Sequence, residues 1–162
     1  MKIYVAGPLG FSEAGRAFYN DSLLPRLTGL GHDVLDPWKL TDQAKIDAVM
    51  KLAYGAEKRD AWRRLNVEIG GNNASAIDRC DAVFAILDGV DVDSGTASEI
   101  GYAFGKGKPI LGYRGDFRLS ADNEGSTVNL QVEFFIRKSG GTIITTLAQL
   151  PDALAALPTP PP

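Results

Sequence analysis

The run Asp88-Gly-Val-Asp-Val-Asp-Ser-Gly-Thr-Ala-Ser-Glu99-Ile-Gly-Tyr-Ala-Phe-Gly-Lys-Gly is the densest set of groups in this chain that could do chemistry. Its pattern is that of a turn leaving a strand and entering a helix, with Asp93 or Ser94 as the N-cap. On that helix Thr96 and Glu99 lie three residues apart and share a face, while Ile100, Ala103 and Phe104 form an apolar stripe pointing elsewhere. A carboxylate held this way can trap an oxocarbenium-like carbon as a glycosyl ester. A second nucleophile then attacks from the opposite direction, and two inversions give retention. The plain alternative is that Glu99 is a solvated helix residue and Asp93 merely a cap, and spacing alone does not choose. Gly95, Gly101 and Gly105 each cost nearly ~1 kcal/mol relative to alanine in a helix, which predicts a close approach of backbone or ligand there.

Other candidates are weaker taken singly. Tyr4 sits near the end of an apolar run, where a hydroxyl can serve a site or simply cap a core aromatic. Gly7-Pro8-Leu9-Gly10 precedes a helix and could cradle a phosphate on backbone N–H groups, but it is neither a GxGxxG nor a Walker motif. Phe11, Trp38 and Trp62 could stack on a planar ligand or be core, with Phe11 first because it follows the first strand. Asn73 could bond a ligand or satisfy the core. Asp116 and Arg118 could shape a pocket or pair on the surface. Cys80 reads as inert core and His32 as a solvated turn residue.

These residues must be positioned by an alternation of strands and helices. Apolar runs at Lys2–Ala6, Asp33–Asp36, Ala82–Leu87, Pro109–Tyr113 and Thr142–Thr145 read as strands, the third bounded by polar residues and apolar throughout, as in a sheet covered on both faces. Helical patterns lie between them: from Ser12 to Gly29 with a kink at Pro25, from Asp60 through Trp62, Leu65, Ile69, Asn73 and Ala76, from Ser94 to Lys106, from Val128 to Lys138, and from Leu147 to Leu157. Thr41–Tyr54 is polar and weakly helical, with Gly55 as its stop. Gly70-Gly71 inside the long pattern together cost about 2 kcal/mol of helix propensity. The order predicts an α/β fold: a doubly wound, flavodoxin-like sheet of five parallel strands with helices on both faces, in one domain over 1–157, with a disordered proline-rich tail at 158–162. Ligands in such sheets bind beyond the carboxyl ends of the strands.

Composition narrows the chemistry. The 162 residues are 44% hydrophobic with a net charge of −3, which suits one domain and offers no polybasic surface for long nucleic acid. One cysteine and one histidine leave a His/Cys zinc site short of ligands, so chemistry without metal or cofactor is expected. No apolar run reaches the roughly 20 residues of a membrane span, and a cytoplasmic protein is expected.

The chain resembles the nucleoside 2-deoxyribosyltransferases. The resemblance is carried by Ile3-Tyr4-Val5-Ala6-Gly7-Pro8, by Asn73 through Cys80-Asp81-Ala82-Val83, and by Asp93-Ser-Gly-Thr-Ala-Ser-Glu99-Ile-Gly-Tyr-Ala. It continues in Gly107-Lys108-Pro109, Asp116-Phe117-Arg118 and Val128-Asn129-Leu130, in family order over roughly residues 2 to 145. It implies transfer of 2-deoxyribose between nucleobases. Glu99 would be the nucleophile, Tyr4 would hold and polarise its carboxylate, and Asp93 would bind sugar hydroxyls. Gly7, Phe11, Asn73, Gly95, Asp116 and Arg118 are assigned to substrate binding. Asn129 would reach the site from a neighbouring subunit, so a homo-oligomer is implied, acting on small deoxynucleosides and free bases. Many members carry aspartate where this chain has Asn73, as the presumed acid for the leaving base, and an amide cannot supply that proton. Two other readings remain: a hydrolase of deoxynucleoside 5′-monophosphates on the same sheet, which the lack of a basic residue in Gly7–Phe11 disfavours, and a non-catalytic nucleoside-binding module.

Overall fold

Parallel pairing of β1 (Lys2–Ala6) with both β2 (Asp33–Leu35) and β3 (Ala82–Ile86) begins a sheet that continues through β4 (Ile110–Tyr113) to β5 (Ile143–Ile144). The strand order is β2-β1-β3-β4-β5, all parallel, the doubly wound arrangement expected from the sequence. The computed structural model describes residues 1–159, and the last three residues of the expected tail lie outside the described residues. Pro158 itself packs over Gly140.

Alternation along the strands sorts the core into two layers, because successive side chains point to opposite faces. Ile3, Val5, Phe84, Ile86 and Leu111 face α2 (Leu24–Gly29), the turn before it, and α7 (Leu150–Ala155) through Leu23, Leu27, Leu150 and Leu154. Tyr4, Ala6, Val83, Ala85 and Ile110 face the other way, onto α4 (Ala56–Arg79), α5 (Ser94–Gly105) and α6 (Leu130–Lys138). Tyr4 thus joins the layer that contains α4 and α5.

Several boundaries differ from the sequence reading. The first helix is α1 (Glu13–Phe18), which continues through a wider π-helical turn at Tyr19–Leu23 into α2, and Pro25 stands just after that turn, at the start of α2. The 41–54 stretch holds α3 (Gln43–Lys51), with Asp42 accepting from the Ala44 N–H as its cap. Gly55 does not stop that helix; it is the N-cap of α4, which begins at Ala56 and runs 24 residues. Gly70 and Gly71 sit in open space within α4, as does Gly105 in α5, so no close approach accounts for these three glycines. His32 is half-buried rather than solvated, with Nδ1 sealed from water, and burial, with the nearby chain N-terminus, lowers its pKa. Cys80 is buried with its thiol on the Ile77 carbonyl, and burial pushes that thiol up, as an inert core cysteine requires. Among the described residues no helix is long and apolar enough to cross a membrane.

Candidate active site

The carboxyl ends of β1 and β3, where the strand order reverses, open onto a cavity of about 540 Å³. Gly7 and Phe11 line it after β1, Pro37, Trp38 and Thr41 after β2, and Asp93, Gly95, Thr96 and Glu99 after β3. The remaining wall comes from α3 through Ile46 and from α4 through Trp62, Asn66, Ile69 and Asn73.

Glu99 stands in the second turn of α5, whose start is fixed by Asp93: its Oδ2 accepts from the Thr96 backbone N–H at 3.0 Å and from the Thr96 hydroxyl at 3.1 Å. The Tyr4 hydroxyl, pointing to the same face as α5, donates to Glu99 Oε1 at 2.6 Å across 95 residues of sequence. Asn73 Nδ2 donates to the same oxygen at 3.4 Å from α4. An ionised carboxylate takes only donors, which fixes the end of the Asn73 amide that faces it. The other end, Oδ1, is sealed from water and has no hydrogen-bond partner among the described residues.

Burial pushes the Glu99 carboxyl above its usual range, Tyr4's hydrogen bond pulls it back, and the Asp93 charge adds to the rise. Burial and the Glu99 carboxylate push the Tyr4 phenol so far up that it stays protonated and remains a donor. The arrangement is an anionic oxygen held by two donors on the wall of a largely apolar cavity. Its chemical competence is nucleophilic or basic.

The aromatic walls are built from loops. Phe11 and Trp38 meet edge to face at 4.8 Å between centroids, and a Cβ on Gly10 would fall 2.3 Å from the Trp38 ring, so only glycine permits that contact. The backbone turn at Trp38 is fastened by Asp36, whose Oδ1 accepts from the Trp38 N–H and the Tyr19 hydroxyl. Asn72 ties the 40–41 segment to α4 by donating to the Leu40 carbonyl and the Thr41 hydroxyl. At Gly7 an added Cβ would lie 2.9 Å from Ile86, which explains that glycine at the cavity edge.

Of the residues singled out in the sequence, Tyr4, Asn73 and Glu99 are bonded together, and Gly7, Phe11, Asp93 and Gly95 join Asn73 and Glu99 on the cavity wall. Asp116, Arg118 and Asn129 do not line this cavity. Asp116 and Arg118 pair with each other, Arg118 Nε reaching Asp116 Oδ1 at 2.9 Å, and this pairing draws the Asp116 carboxyl well below the usual carboxylate range. Asn129 caps α6, its Oδ1 accepting from the Gln131 and Val132 N–H groups. The sequence reading missed Pro37, Thr41, Ile46 and Asn66. Asn66 stands seven residues before Asn73, a two-turn repeat that placed both on one helical face. Among the described residues no cluster of three or more His, Cys, Asp and Glu could hold a metal ion.

The family model for nucleoside 2-deoxyribosyltransferases matches residues 3–131. A solved 2-desoxiribosyltransferase from Leishmania mexicana is 27% identical with a TM-score of 0.62, the match covering 95% of this chain and 94% of that one. A 2-deoxyribosyltransferase from Bacillus psychrosaccharolyticus is 23% identical with a TM-score of 0.60, covering 100% and 99%. A CMP N-glycosidase from Clostridium botulinum, 18% identical with a TM-score of 0.55 and covering 96% and 98%, shares the fold. No curated protein sequence matches at a significant level.

Proposed function

The chain belongs to the nucleoside 2-deoxyribosyltransferase family, which makes it a nucleoside-processing enzyme, and from that premise we propose that it moves 2-deoxyribose between nucleobases through an ester on Glu99. A Glu99 oxygen attacks C1′ of a deoxynucleoside as the C1′–N bond breaks, and the electron pair of that bond goes to the departing base. Because Asn73 is an amide, the base takes its proton from solvent. An incoming base then attacks C1′ from the opposite direction, the ester C–O bond breaks with its electron pair returning to the Glu99 carboxylate, and the attacking ring nitrogen gives up its proton to solvent. Tyr4 holds that carboxylate and Asp93 binds the sugar hydroxyls.

The observation that carries this reading is the Tyr4–Glu99 bond of 2.6 Å at the wall of a cavity with Phe11, Trp38 and Trp62 around it. Preference for nucleosides over monophosphates follows from a lining without arginine or lysine, since a phosphate in a partly buried site needs a cation or several N–H donors. Asn129, which caps α6 and does not line the cavity of its own chain, is proposed to serve a neighbouring subunit. Incubating deoxyinosine with free adenine tests the function: deoxyadenosine is expected, together with an enzyme mass increased by one deoxyribosyl group that maps to Glu99. Release of base to water without exchange would overturn transfer, and a preference for monophosphates would favour the nucleotide hydrolase.

A further inference from the structure

The cavity runs along one face of α4. Asn73, Ile69, Asn66 and Trp62 all line it, and Asn73 stands at the end where its Nδ2 meets Glu99. The three asparagines of this helix differ in what holds them. Asn72 is tied to the 40–41 segment and Asn73 to Glu99. Asn66 is exposed, and its amide takes part in no side-chain hydrogen bond among the described residues. It is therefore a free donor and acceptor on a cavity wall that Trp62, Ile69, Ile46 and Trp38 also line.

Its distance from the reacting end is set by the helix. Seven residues at 1.5 Å rise separate Asn66 from Asn73 by about 10.5 Å. Allowing roughly 3 Å for a polar contact at each end leaves about 4.5 Å, close to the span of a fused bicyclic ring. A deoxynucleoside with C1′ at Glu99 would bring the far edge of its base to Asn66, with the aromatic side chains against its faces.

We propose that Asn66 reads the far edge of the nucleobase and, because its amide can turn end for end, makes the site permissive for both amino and oxo bases. This rests on the transferase reading and deepens it. An amide offers one N–H and one C=O side by side, matching the amino donor and ring acceptor of adenine in one orientation. Turned over, it matches the carbonyl acceptor and ring N–H of a 6-oxo purine. An enzyme that exchanges bases of both kinds needs such a reader, since a carboxylate or an ammonium in its place would bond only one pattern.

The test uses binding without turnover. Trp38 and Trp62 are the only tryptophans of the chain and both line the cavity, so intrinsic fluorescence reports occupancy. In a Glu99→Gln background, deoxyadenosine and deoxyguanosine are titrated into protein carrying Asn66, Asn66→Ala or Asn66→Asp. With Asn66 the two dissociation constants are expected within about tenfold of each other. Asn66→Asp accepts only, so it repels the adenine ring nitrogen and takes both N–H groups of guanine. The ratio of the two constants should then move toward deoxyguanosine by at least tenfold, about 1.4 kcal/mol. Asn66→Ala should weaken both. An unchanged ratio in Asn66→Asp overturns the proposal. Should that variant fail to fold, unchanged constants in Asn66→Ala overturn it and a tenfold loss for both nucleosides supports it. Binding that obeys these expectations, when the protein with Glu99 intact shows no exchange activity, would sink the transferase reading and leave the base reader standing.

Discussion

Asn73→Asp would give the base side of the site the acid it now lacks, and the geometry fixes how large the effect can be. Asn73 Nδ2 lies 3.4 Å from Glu99 Oε1, so an isosteric aspartate places two carboxyl groups at about that separation. Two unit negative charges 3.4 Å apart repel by about 5 kcal/mol at an effective dielectric of roughly 20. That is enough to keep the pair from ionising twice near neutral pH, and it holds one proton. Tyr4 donates to Glu99 and favours its charge, whereas the Asn73 Oδ1 position is sealed from water and has, among the described residues, no donor to favour a charge there. The introduced carboxyl should therefore carry the proton while Glu99 stays nucleophilic. A positioned general acid contributes on the order of 10²-fold or more. Rapid-quench measurement of the deoxyribosyl adduct from deoxyadenosine should show adduct formation accelerated by roughly that factor near neutral pH. The gain should fade as pH rises through the upper apparent pKa of the pair, because the acid is then lost. Slower adduct formation in the variant at neutral pH would mean that Glu99 had taken the proton, and the reasoning would fail.

Glu99→Gln should abolish both the adduct and base exchange while raising stability. Burial lifts the folded-state pKa of this carboxyl, so its charge opposes folding more and more as pH rises from the unfolded to the folded value, and a neutral amide removes that penalty. A gain of about 1 kcal/mol would raise Tm by roughly 2–4 °C near neutral pH, and a lower Tm would contradict the assignment. Tyr4→Phe removes a donor whose bond lowers the Glu99 pKa, so the acid limb of kcat/KM should move to higher pH, with a loss on the order of 10- to 100-fold. An unmoved limb would leave Tyr4 as packing alone. If Asn129 serves a neighbour, Asn129→Ala and Glu99→Gln proteins, each inactive by itself, should regain exchange activity when mixed and allowed to reassociate, and absence of recovery would remove the trans role.

Legibility in the sequence followed the range of the physical signal. The strands and their parallel order could be read because a sheet covered on both faces demands continuous apolar runs such as Ala82–Ile86, and because short αβ connections leave few topologies. Helix ends were harder. Gly55 looks the same as a stop or as a start, and only tertiary packing of the 24-residue α4 shows it to be the start. Asp116 and Arg118 carried a family-like spacing, yet bonding to each other leaves them off the cavity wall.

The amino-acid order by itself determined the sheet and the helix bearing Glu99, and narrowed the cap that begins it to Asp93 or Ser94, since these depend on periodicity and on neighbours a few residues away. The meeting of Tyr4, Asn73 and Glu99 depends on strand alternation and on two helices packing over one face of the sheet. The cavity wall depends likewise on loops pinned by Asp36 and Asn72. The bonds from Asn73 and Tyr4 to Glu99 span 26 and 95 residues of chain, and a one-residue slip of β1 would turn Tyr4 to the opposite layer. Only the folded tertiary structure could decide them.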